Sequence, residues 1–139
     1  MELKINSDLK KIREVSAKIL HCLNGKQLND SFIFDIRLAS EEAVINGIKH
    51  GNKLEFEKTV LINCDVTDQA VVVTVEDQGA GFDYKNLADP TQGENLIKGS
   101  GRGLFLIQNI MDKVKFNPRG NRITMTKFFP NTGGQKKCK

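Results

Sequence analysis

The amino-acid sequence predicts an α+β domain: a two-layer α/β sandwich in which helices cover one face of a mostly antiparallel, mixed sheet. Three observations predict it. The elements run strand, helix, helix, strands, loop, helix, strands, which is not a regular βαβ alternation. Thr59 to Val66 and Ala70 to Asp77 each alternate apolar and polar residues across a three-residue turn, the pattern of strands with one covered face. The last two strands are also joined by a short turn, which favours antiparallel pairing.

Glu2 to Ile5 reads as a short strand. Ser7 can cap a helix from about Asp8 to Leu23, where Leu9, Ile12, Ile19 and Leu23 recur at helical spacing, and Asn24-Gly25 stops it. Asn29 to Ser31 offers the next cap for a longer helix to about His50, ended by Gly51-Asn52. In the first alternating strand Val60, Ile62, Cys64 and Val66 share a face; Thr67-Asp68-Gln69 turns the chain. In the next, Val71, Val73, Val75 and Asp77 share one. Gln78 to Gly103 has neither period and carries Gly79, Gly81, Pro90, Gly93, Gly99, Gly101 and Gly103. A loop of that length inside a small domain is functional or disordered. Leu104 to Met111 reads as a helix, then Lys113 to Asn117 and Arg122 to Phe129 as strands around Pro118-Arg119-Gly120-Asn121.

A chain of 139 residues fits one domain, expected over residues 1–130, with 131–139 as a flexible basic tail. No apolar stretch approaches the roughly 18 residues needed to cross a bilayer. The N-terminus lacks the basic lead and apolar block of a secretory signal. A cytoplasmic protein with no membrane association is therefore expected. Cys22, Cys64 and Cys138 lack metal-ligand spacing and read as free thiols of a reducing compartment. The net charge of +4 is spread along the chain without interleaved aromatics, so no direct nucleic-acid contact is expected.

Chemistry concentrates in three places. Projected at about 100° per residue, the second helix puts Asp35, Glu42, Asn46 and Lys49 on one stripe. Leu38 and Ile45 flank that stripe on one side, Ala39 and Ala43 on the other, while Arg37 and Glu41 fall on the opposite, wet side. A polar stripe bracketed by apolar residues needs a polar partner, because an unpaired buried carboxylate is costly. Asp77 continues the inward phase of its strand, so its carboxylate points under the helices, where an exocyclic amine with an ordered water would supply donors. After it, Gly79 and Gly81 let the backbone pass close to a ligand. The third place is Gly99-Ser100-Gly101-Arg102-Gly103, directly before the Leu104 helix. Glycine-rich backbone feeding a helix N-terminus suits phosphate, although neither a Walker A loop nor a Rossmann turn is present.

Taken together and in this order, the three resemble the nucleotide-binding domain of the gyrase, heat-shock chaperone, histidine-kinase and MutL superfamily (the Bergerat fold), over about residues 30 to 128. Glu42-Ala43-Val44-Ile45-Asn46-Gly47-Ile48-Lys49-His50-Gly51-Asn52 looks like its N box, Asp77 to Gly81 its Asp-x-Gly-x-Gly box, and Gly99 to Gly103 its second glycine box. Within the superfamily, Ser40-Glu41-Glu42-Ala43-Val44 and Gly101-Arg102-Gly103-Leu104-Phe105-Leu106-Ile107 resemble the bacterial anti-sigma-factor serine kinases.

The resemblance implies ATP and Mg²⁺ as ligands. Asn46 would ligate the Mg²⁺, Glu42 would act as general base, and Asp77 would hold the adenine amine. Lys49, Gly79, Gly81, Lys98, Gly99, Gly101, Arg102, Gly103 and Leu104 would complete the nucleotide site, with either Lys98 or Arg102 reaching the γ-phosphate. The implied activity is ATP-dependent phosphorylation of an anti-sigma antagonist protein by a kinase that also sequesters a sigma factor. A homodimer through the first strand and helix is implied as well. The alternative is a non-catalytic module that binds ATP to regulate a partner. Two departures stand out. Gly47 replaces the usual alanine, at about 1 kcal/mol of helix preference. Gly120-Asn121 replaces a Gly-Thr pair near the adenine, leaving Thr124 or Thr126 as substitutes.

Overall fold

The computed structural model describes residues 1–81 and 99–130. The elements are β1 (Glu2–Asn6), a 3₁₀ turn (Leu9–Lys11) leading into α1 (Ile12–Cys22), α2 (Asp30–Asn46) extended by a π-helical turn (Gly47–Gly51), β2 (Thr59–Val66), β3 (Ala70–Asp77), α3 (Gly99–Ile110), β4 (Lys113–Phe116) and β5 (Arg122–Phe128). The strands form one sheet in the order β1-β2-β3-β5-β4. All four pairings are antiparallel, so the expected mixed sheet is corrected to a wholly antiparallel one among the described residues. Short turns join β2 to β3 and β4 to β5, and antiparallel partners need no crossover.

Register makes one face apolar. Cys64 lies opposite Val73 and Ile62 opposite Val75; Val73 and Val75 in turn face Met125 and Ile123. These six side chains are buried under the helices. Val15 and Ile19 of α1, Ile36, Ala39, Ala43 and Val44 of α2, and Leu104 and Ile107 of α3 form the other half of the core. Asn63, Thr74 and Thr124 sit on the reverse face, in the opposite phase of the pleat. The expected two-layer architecture is the one observed.

Local chemistry explains where the helices start. Asn29 caps α2, its side-chain oxygen accepting from the Phe32 amide at 2.7 Å. At the 3₁₀ turn that leads into α1 the cap is Asp8, not Ser7: Asp8 accepts from the Lys10 amide, and Ser7 is buried with its hydroxyl donating to the Lys58 carbonyl. The α2 helix does not stay α-helical to His50. Its last turn widens, and the Asn52 amide reaches back five residues to the Gly47 carbonyl at 2.7 Å. The third helix starts at Gly99 rather than Leu104, so the glycine cluster forms its first turn instead of a preceding loop. Glu41, expected to face water, accepts a hydrogen bond from the Ser16 hydroxyl of α1 and pairs with Arg37 at 3.7 Å. Residues 131–139, expected as a tail, lie outside the described residues.

Candidate functional site

At one end of the sheet, a cavity of about 120 Å³ opens to solvent between the helical layer and the ends of β3 and β5. One wall is Ala43, Asn46, Gly47, His50 and Gly51, from the end of α2 and its π-helical turn. Facing it stand Val75, Asp77 and Gly81 from β3 and its exit, and Gly120 to Ile123 from the start of β5. Leu104 and Phe116 close the sides. A mostly apolar hollow with a few convergent polar groups is the ordinary form of a small-molecule site.

Among the described residues, Asp77 is the only carboxylate in that lining. One of its oxygens, Oδ1, accepts the Gly79 amide at 2.8 Å. Burial pushes its pKa up, and the Gly79 hydrogen bond opposes that only in part. Its main chain is clamped by Asn121, just before β5: the Asp77 amide donates to the Asn121 carbonyl at 2.9 Å, and Asn121 Nδ2 donates to the Asp77 carbonyl at 2.8 Å. Asn117 secures Asn121 in turn, donating to its side-chain oxygen at 2.7 Å and accepting its amide at 3.0 Å. A carboxylate held this way, with apolar neighbours, suits a ligand that presents an N–H donor beside a flat apolar ring.

The glycines work differently from the sequence reading. A Cβ on Gly79 would stand 2.0 Å from the Gly51 carbonyl oxygen, and one on Gly81, at φ +89°, would stand 1.9 Å from the Arg119 carbonyl oxygen. Both positions are set by protein backbone rather than by room for a ligand, although Gly81 also borders the cavity. Gly51 belongs to the same contact, since a Cβ there would meet the Asp77 carboxylate at 2.3 Å. The π-helical turn and the exit of β3 can touch because Gly51 and Gly79 lack side chains, while Gly81 makes room for the turn before β5.

Of the residues expected at the site, Asn46, Asp77, Gly81 and Leu104 line the cavity. Asn46 and Asp77 stand on facing walls. Glu42 is one helical turn before Asn46 and outside the lining. Both flank Gly103, where a Cβ would lie 3.1 Å from Glu42 Oε1 and 3.3 Å from Asn46 Nδ2. Lys49 is exposed and does not line the cavity; its neighbour His50 does. Gly99 and Gly101 fall in the first turn of α3. The side chain of Arg102 and the whole of Lys98 lie outside the described residues. Thr124 and Thr126 cannot serve the cavity, because they pair with Thr74 and Val72 on the sheet's other face.

The sequence reading gave Asn52 and Asn117 no role of their own. His50, four residues after Asn46 at the helix end, and Asn121, of the Gly120-Asn121 pair noted as a departure, both line the cavity. Partial desolvation, then Lys49 and Lys53, lower the pKa of His50 and favour its neutral imidazole. Asn52 and Asn117 carried no signal, since their role depends on which strands meet. Among the described residues, no three His, Cys, Asp or Glu side chains cluster to hold a metal. A hard cation at the Asn46 amide oxygen would therefore need ligand oxygens brought by a phosphate, which is how Mg²⁺ is commonly held. The residues present fit that arrangement.

A family model described as the histidine kinase-like ATPase domain matches residues 5–127. Serine-protein kinase RsbW of Staphylococcus epidermidis is 34% identical over 104 residues, covering 69% of this chain and 65% of that protein. The protein of the same name from Staphylococcus aureus (strain MSSA476) is 31% identical over 105 residues with the same coverage. The chain thus spans just under two thirds of the length of these relatives. A crystal structure of the RsbU and RsbW domains of Rv1364c from Mycobacterium tuberculosis matches with a TM-score of 0.57 at 19% identity, over 93% of this chain and 32% of that one, a likeness of fold. Among the described residues, no helix is long and apolar enough to cross a membrane.

Proposed function

The chain belongs to the histidine kinase-like ATPase domain family, and from that premise we propose that it is an ATP-dependent protein serine/threonine kinase and anti-sigma factor whose substrate is an anti-sigma antagonist protein. The observation that carries the reading is the pairing of Asn46 and Asp77 across one cavity, with Glu42 a helical turn away beside Gly103. The names of the RsbW relatives support the serine-kinase activity.

In this reading the adenine lies among Ala43, Gly47, Val75 and Ile123, with its exocyclic amine donating to the Asp77 carboxylate. The phosphates run toward Asn46 and the first turn of α3, whose unpaired amides and helix dipole favour negative charge. Asn46 would hold Mg²⁺ through its amide oxygen, and the ion would supply positive charge against the phosphates. Glu42 accepts the proton of the incoming serine or threonine hydroxyl as its oxygen attacks the γ-phosphorus and ADP departs. Lys98 and Arg102 are the candidate cations for the γ-phosphate, with Lys49 an exposed charge nearby in sequence. The likeness to anti-sigma kinases extends the proposal to a cytoplasmic homodimer through β1 and α1 that binds a sigma factor.

The test is incubation with labelled ATP, Mg²⁺ and a candidate anti-sigma antagonist protein. Label is expected on a serine or threonine of that protein. In Glu42→Ala, transfer is expected to fall by roughly 10²- to 10⁴-fold while ATP binding persists. ATP binding by the unaltered chain with no transfer would replace the kinase by a nucleotide-dependent regulator.

A further inference from the structure

Asn52 is the one polar side chain among the described residues with no exposed surface. It joins four segments. Its amide closes the π-helical turn on the Gly47 carbonyl, and its side-chain Nδ2 donates to Ser7 Oγ at 2.9 Å and to the Thr59 carbonyl at 3.0 Å. Its side-chain oxygen accepts the Gln78 amide at 2.8 Å. Gln78 returns the contact by accepting the Thr59 amide at 2.6 Å through Oε1. Every polar atom of the Asn52 side chain is therefore spent on protein, none on a ligand.

The consequence falls on Asp77. Up to that residue β3 is held by β5 and by Asn121 just before it. Beyond it, the direction in which the chain leaves the strand is set at Gln78, whose amide belongs to Asn52. That direction carries the Gly79 amide back onto Asp77 Oδ1 at 2.8 Å and seats Gly79 against the Gly51 carbonyl. Among the described residues Oδ2 accepts no hydrogen bond, so it is the oxygen left for a ligand.

We propose that Asn52 is a positioning residue for base recognition: through Gln78 and Gly79 it fixes the Asp77 carboxylate so that its free oxygen selects a purine carrying an exocyclic amine. The inference rests on the nucleotide reading above. A site built around one oriented acceptor rejects a base that offers an oxygen there, because two acceptors then face each other without a proton.

The test compares dissociation constants for ATP and inosine triphosphate, which carries a carbonyl oxygen in place of the amine. The unaltered chain is expected to prefer ATP. Asn52→Ala is expected to reduce that preference about tenfold, and Ser7→Ala, which removes one support of Asn52 far from the ligand, about two- to threefold. Thermal unfolding identifies the folded variants, and Ser7→Ala serves alone if Asn52→Ala does not fold. A folded variant that keeps the full preference overturns the role of Asn52, since a merely structural residue would change stability without changing selectivity. An unaltered chain that binds neither triphosphate, or both equally, overturns the base-recognition reading itself.

Discussion

Asp77 couples the stability of the fold to pH. Burial raises its pKa above the ordinary 3.8, so the native state keeps a proton that the unfolded chain releases as pH rises past that value. The stabilisation is complete in acid below the unfolded value and is lost as pH climbs through the raised native one. At neutral pH the ionised carboxylate is thus a burden on the unliganded fold. Asp77→Asn keeps an oxygen for the Gly79 amide and removes the charge. It is expected to be more stable than the parent at pH 7 by urea unfolding, with the difference disappearing in acid. ATP affinity should fall at least about tenfold, because an amide donor would then face the adenine amine. A stability difference that does not change with pH would refute this account.

Elements meet at glycines here, and the glycines are not equivalent. The π-helical turn passes so close to β3 and its exit that Gly51 and Gly79 have no space for a Cβ. Gly47, the departure from the family's alanine, is different: its Cβ would lie 3.5 Å from Val60 and 3.6 Å from the Asp77 Cβ, ordinary contact distances. Gly47→Ala should therefore stabilise the chain by about 0.5–1 kcal/mol through reduced backbone freedom. Gly79→Ala should cost about 3 kcal/mol, since backbone atoms must move to admit the methyl. Denaturant midpoints of the two variants check both, and a neutral Gly79→Ala would mean that the contact between turn and strand yields easily. The sequence already shows these glycines as punctuation. Whether each admits a ligand or another backbone is invisible until the partner segment is in place.

For the whole molecule, the cavity draws its walls from residues as far apart as Ala43 and Ile123, so only the folded chain can assemble it. ATP with Mg²⁺ should therefore stabilise the fold by about 2.7 kcal/mol at a concentration one hundred times its dissociation constant, read by thermal or urea unfolding. Asn46→Ala should lose the Mg²⁺-dependent part of that gain. Strand boundaries, the apolar faces of β2 and β3, the inward phase of Asp77 and the Asn29 cap are all readable in the linear chain, because periodicity and capping are properties of neighbours along the backbone. Other features had to wait for the fold. The purely antiparallel pairing, Glu41 turned toward Ser16, the asparagine clamp on Asp77 and the four-way role of Asn52 join residues that local rules cannot bring together. A buried polar group takes its identity from whichever donor or acceptor lies across the gap, and strand register together with helix packing sets that gap.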